Sequence, residues 1–165
     1  KLSPDALLDW YIRFAVRAGL GTAHELRGEA EWLKRVVLSL QERSQTIEEL
    51  VESSRFYFGL PEGDAAYDVA AVKKLFDKPG MAGLLRKGAS ALASLDQWNI
   101  DAEEKAYRDL IEKEGLKGGD LIHPTRLALT GRTVGPSLFE IIDILGKEEV
   151  VARLERAASY IERRS

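Results

Sequence analysis

Near its C-terminal end the chain reads His123-Pro124-Thr125-Arg126-Leu127-Ala128-Leu129-Thr130-Gly131-Arg132, then Pro136-Ser137-Leu138-Phe139-Glu140, Leu145-Gly146-Lys147 and Arg153-Leu154-Glu155. Cations, a hydroxyl and helix-ending glycines lie close together here. Proline and glycine punctuation predicts two short helices meeting tip to tip. Arg126, read as lying within a turn of a helix start at Pro124, would stand beside exposed backbone N–H groups. Together they suit an anion or the acceptor edge of a base. An ordinary surface arginine is the plainer reading. Leu138, in the first turn after Pro136, either offers apolar bulk to a splayed base or belongs to the core. Arg132, Lys147, Arg153 and Arg156 are candidate phosphate contacts, which position without specifying; each alone also reads as a solvated charge.

A second cation of interest is Arg43. It follows the apolar stripe Trp32, Leu33, Val36, Val37, Leu40 and precedes Thr46-Ile47-Glu48-Glu49, a capping box. It is either a planar donor fork aimed at a base edge or phosphate or a cation complementing a helix C-terminus. Pattern alone favours the latter. Adjacent carboxylates, Glu103-Glu104 and Glu148-Glu149, point in different directions on a helix and read as solvated surface. Trp10, Trp32 and Trp98 lie on apolar stripes and are expected in the core.

These residues need elements to hold them. Ser3-Pro4 starts a helix that Gly19 and Gly21 stop; Gly59-Leu60-Pro61-Glu62-Gly63 breaks the third. Beyond that break come helices near Ala65–Phe76, around Met81–Leu95, and from about Ala102 to Glu114 behind an Asn99 or Asp101 cap. Gly118-Gly119 reads as a loop. Short helices follow at Pro124 and Pro136, and the last runs from Val150 to Arg163. No period-two strand with hairpin chemistry appears. The expected fold is all-α, about nine helices in two packed units, residues 1–58 and 59–165.

Composition narrows the function. Apolar residues make up 45% of the 165, enough for a core and too many for disorder. The net charge of −3, from 24 basic and 27 acidic residues, argues against a polyanion-coating protein. A nucleic acid would have to be held by local cations. Without cysteine there is neither a disulfide nor a thiolate metal site, and two distant histidines make no credible zinc site. No apolar run approaches a membrane span. No Walker, dinucleotide or catalytic-triad motif is present, so neither catalytic nor cofactor-binding residues are expected. Starting at Lys1 rather than Met, the chain is expected to be part of something longer.

The pattern Pro124-x-Arg126-x-Ala128-x-Thr130-Gly131, Pro136-x-Leu138-x-Glu140, Leu145-Gly146-Lys147, Arg153-Leu154 resembles the C-terminal region of bacterial-type glutamyl-tRNA synthetases. Upstream, Trp32-Leu33, Leu40-x-x-Arg43-x-x-Thr46-Ile47-x-x-Leu50, Arg55-x-x-Phe58 and Trp98 agree with it in order and spacing. The resemblance implies a helical anticodon-binding cage, both units taking part, that holds the anticodon loop of glutamate tRNA. Arg43 would read the third anticodon base, and Arg126 and Leu138 would contact the first and second. Thr130 and Gly131 would shape the nearby turn. Arginine rather than glutamine at position 43 goes, in that family, with charging of glutamate tRNA alone. An arginine fork satisfies the O2 and N3 acceptors of cytosine, whereas guanine turns an N1–H donor toward it; leaving such a group unpaired costs about 1–3 kcal/mol.

Neither class I nucleotide-binding signature occurs, so ATP, Mg²⁺ and amino-acid chemistry would belong to a catalytic part outside these residues. The resemblance further implies a cytoplasmic monomer that binds neither DNA nor membrane. The alternative is a helical protein–protein interaction module without nucleic-acid binding, which the acidic balance favours; a stand-alone enzyme finds no catalytic constellation to support it.

Overall fold

The computed structural model describes residues 2–165, which form ten α-helices with short 3₁₀ and π turns and, among the described residues, no strand. The all-α expectation holds. The chain divides into two compact units between Gly59 and Leu60, at the glycine–proline break.

The first unit contains α1 (Pro4–Arg17), α2 (Ala23–Gly28), α3 (Ala30–Leu40) and α4 (Ile47–Phe58). Ser3 Oγ caps α1 by accepting from the Ala6 amide at 3.2 Å. Thr46 caps α4 by accepting from the Glu49 amide at 3.1 Å. Glu49 reaches back one residue further than a standard capping box, accepting from the Gln45 amide at 2.8 Å. The helical period sets Tyr11, Ile12 and Ala15 of α1 against Leu33, Val36 and Val37 of α3 and Leu50 and Val51 of α4. Each large apolar side chain so buried contributes about 1.5–3 kcal/mol. Buried Tyr11 shares a 2.7 Å hydrogen bond with Ser54.

The second unit runs through α5 (Val69–Ala71), which continues as a π-helical turn, Val72–Phe76, then α6 (Met81–Ala93), α7 (Ile100–Lys113), α8 (Gly118–Thr130), α9 (Leu138–Leu145) and α10 (Lys147–Arg164). Helix α10 lies along α6, and Gly88 of α6 leaves room on another side for the Tyr107 ring of α7. Arg86 clasps the pair, donating to Glu162 at 2.6 and 2.9 Å and to Glu155 at 3.2 Å. Leu85, Leu92, Tyr107, Leu121, Leu127, Ile141 and Leu154 fill the interior.

Several expectations are corrected. The helix expected near Ala65–Phe76 is interrupted: Gly63–Ala66 is a 3₁₀ turn, and Tyr67 is extended before Asp68 caps α5. Pro124 does not start a helix but lies inside α8, which begins at Gly118. The Asp120 carboxylate accepts from the Lys117 amide at 3.0 Å and fixes that start. Glu103 is not on the surface but fully buried. Trp10 is 44% exposed, and Trp32 and Trp98 are only half-buried. Trp32 meets Phe58 edge-on at 5.5 Å.

Candidate nucleic-acid interface

In the first unit, α3 ends in a 3₁₀ turn, Gln41–Arg43, before Thr46 caps α4. The tight turn lifts Arg43 out of the helix register, and its side chain is exposed. Among the described residues no hydrogen bond or ion pair engages its guanidinium. Its chain neighbours Glu42 and Ser44, with Gln41, Gln45, Thr46 and Ile47, line a cleft of about 550 Å³. The polar side chains of this cleft do not stand out in the sequence; their signal is the turn squeezed between an apolar stripe and a capping residue.

In the second unit the end of α8, the connection to α9 and the start of α9 gather the remaining candidates. Because α8 starts early, Arg126 sits one turn before its end at Thr130, toward the carbonyl end rather than beside free amides. A cation suits that end of the helix dipole. The half-buried Arg126 guanidinium spans the loop and donates to the Pro136 carbonyl at 2.5 Å. Thr130 is buried; its hydroxyl bonds the Arg126 and Arg132 carbonyls at 2.9 and 3.1 Å and accepts from the Arg132 amide at 3.0 Å. Gly131 follows with φ +76°. A side chain there would collide with the Ala66 carbonyl oxygen, and the Gly131 carbonyl accepts from the Asp68 amide at 2.9 Å. Together Thr130 and Gly131 make a tight, internally satisfied reversal.

Leu138 starts α9 but is only 3% exposed, so its side chain belongs to the core. Arg153 also differs from the expectation of a solvated charge. It is 4% exposed, donating to Glu149 at 2.7 Å and to the Leu129 carbonyl at 2.6 Å. Burial pulls its guanidinium below the usual range, offset in part by Glu149. It caps the end of α8 from within. Lys147 is similarly engaged, donating to the Leu95 carbonyl and lying 6.0 Å over the Trp98 ring. Arg156 donates to the Pro61 carbonyl. Of the expected phosphate contacts, Arg132 is the one that is exposed.

Among the described residues no cluster of three or more His, Asp or Glu is placed to hold a metal, and no helix is long and apolar enough to cross a membrane.

Comparison with known proteins converges on one family. The profile described as "Anticodon binding domain" matches residues 6–158. The glutamate–tRNA ligase of Desulforudis audaxviator is 43% identical over 150 residues, 90% of this chain and 29% of that protein. Glutamate–tRNA ligase 1 of Caldanaerobacter subterraneus is 42% identical over 132 residues, 80% of this chain and 27% of that protein. Among solved structures, a glutamate tRNA ligase from Elizabethkingia meningosepticum superimposes with a TM-score of 0.83 at 25% identity, over 96% of this chain and 29% of that one. The chain thus spans less than a third of the length of these relatives. The alternative of an interaction module without nucleic-acid binding loses its footing. With an all-helical fold, a family profile over nearly its whole length and relatives that are glutamate–tRNA ligases, the chain belongs to the anticodon-binding domain family.

Proposed function

We propose that this chain holds the anticodon loop of glutamate tRNA, so that a catalytic part outside these residues attaches glutamate using ATP and Mg²⁺. Arg43 reads the third anticodon base. Arg126 contacts the first and second, braced against the Pro136 carbonyl at a fixed reach. Leu138 supports them from the core, Thr130 and Gly131 hold the turn, and Arg132 meets a phosphate. Both units take part, the chain acting as a monomer in the cytoplasm. Duplex DNA is not a partner in this reading, because the cations form small local groups rather than a stripe.

The observation that carries the reading is the solvent-exposed, uncommitted guanidinium of Arg43 within a chain matched over residues 6–158 by the anticodon-binding profile. An ordinary dipole-complementing arginine would gain from a nearby carboxylate or carbonyl. Burying such a fork against the wrong base leaves a donor unmatched, at about 1–3 kcal/mol, or roughly ten- to a hundredfold in selection. The test is fluorescence titration with glutamate-tRNA transcripts varied at the third anticodon base. The parent chain should prefer cytosine, and Arg43→Gln should narrow the preference about tenfold. Identical ranking of the variants by both proteins removes Arg43 as the reader. No saturable binding at low salt removes the tRNA reading altogether.

A further inference from the structure

Beside the turn that carries Arg132 lies a pocket of about 360 Å³, lined by Asp68, Ala71, Lys74, Leu75, His123 and Thr133. Its volume is near the low end of small-molecule sites, about 300–1,000 Å³. None of these residues takes part in the base contacts assigned above.

The backbone that builds the pocket is unusual. Lys74 stands on the π-helical turn Val72–Phe76, where the Asp77 amide reaches back five residues to the Val72 carbonyl at 3.1 Å. Such turns are rare and often mark functional positions, because the wider coil re-aims its side chains. Asp68 ties this segment to the recognition turn: its amide donates to the Gly131 carbonyl at 2.9 Å, and its Oδ2 accepts from the Ala71 amide at 2.9 Å. Pocket wall and turn are therefore joined through backbone.

The lining is chemically mixed. Lys74, His123 and Thr133 are exposed, and among the described residues none has a side-chain hydrogen bond or ion pair. Ala71 and Leu75 form a buried apolar floor. Val69 and Val134, chain neighbours of Asp68 and Thr133, are 71% and 75% exposed, the most exposed large apolar side chains described. A lone anion would meet the Asp68 carboxylate and gain nothing from the floor. A nucleotide uses every part: a phosphate for Lys74, a face for the apolar surfaces, and a base edge bearing both donors and acceptors for Asp68, His123 and Thr133.

We infer that this pocket takes one unstacked nucleotide of the tRNA anticodon loop lying outside the three anticodon bases. The inference rests on the tRNA reading above and extends it to a fourth contact. Lys74 carries the phosphate, and His123 and Thr133 with Asp68 face the base edge.

The test uses glutamate-tRNA transcripts carrying 2-aminopurine singly at each anticodon-loop position outside the anticodon. On binding the parent chain, one position should change fluorescence. Lys74→Ala and His123→Ala, both surface changes, should abolish that change and weaken binding about 5- to 30-fold, in line with the loss of one base or phosphate contact. Discrimination at the third anticodon base by Arg43 should persist in both. If the parent binds tRNA but no position responds, or both variants bind as the parent does, the pocket is no nucleotide site. If the parent shows no saturable binding, the tRNA reading fails and this one with it.

Discussion

A single phenol shows how burial becomes a pH dependence. Desolvation raises the Tyr11 hydroxyl to about 12, partly offset by its hydrogen bond to Ser54. An unfolded tyrosine ionises near pH 10. A raised folded value means that folding favours the neutral form, so this stabilisation is complete below about pH 10 and is lost as pH rises toward about 12. Tyr11→Phe should therefore make the alkaline fall in stability shallower over that window. At neutral pH it should cost about 1 kcal/mol, the net worth of one hydrogen bond, because Ser54 keeps its 2.7 Å bond to the Val51 carbonyl. Denaturant midpoints measured across the alkaline range check both parts. Tyr107, likewise raised by burial and bonded to Thr125, leaves a residual slope. At this scale the sequence shows which residues could do chemistry but not which are already engaged. Arg132 and Arg153 are the same residue type in the same region; one is exposed and the other caps α8 from inside. Glu103 and Glu104 are neighbours, yet only Glu103 points into the unit, because a helix turns each successive side chain about 100°.

Helices are bounded by local chemistry, and there the sequence is most legible. Ser3, Thr46 and Asn99 cap as their side chains allow, and Gly131 ends α8 in the left-handed conformation. Pro124 misleads because proline fits either a first turn or, at the loss of one backbone bond, a helix interior held by packing. The reach of Asp120 back to the Lys117 amide is the available sign that α8 begins earlier. The π-helical turn Val72–Phe76, whose Leu75 and Phe76 are buried, has no sign in the sequence pattern. Glycine positions separate two kinds of constraint. Gly115 has φ +68° and open space where a Cβ would stand, whereas Gly131 combines φ +76° with the Ala66 carbonyl in the way. Gly115→Ala should cost about 1 kcal/mol from backbone strain alone. Gly131→Ala should cost more than about 2 kcal/mol, because the 3₁₀ turn must also shift. Urea unfolding of the two variants measures the difference, and equal costs would show that the Ala66 contact yields easily.

Considered whole, the molecule is acidic, and the proposed tRNA recognition rests on a few cations. Composition argues against a general polyanion binder, and the proposed contacts are few: Arg132 and Lys74 on phosphates and Arg43 on a base edge. Binding to glutamate tRNA should therefore weaken with salt along a shallow line. Two contacts to single-stranded phosphate, Arg132 and Lys74, predict a slope of about −1.4 in log affinity against log salt. A slope several times steeper, measured by titration from low to physiological salt, would mean a basic surface beyond these residues. The buried guanidinium of Arg153 adds something that neither charge nor motif conveys. It fastens the Leu129 carbonyl, just ahead of Thr130 and Gly131, to a helix 24 positions further along the chain. The final helix would then influence RNA affinity without touching a nucleotide: damage that loosens it would blur the reading head from behind, leaving every contacting side chain in place.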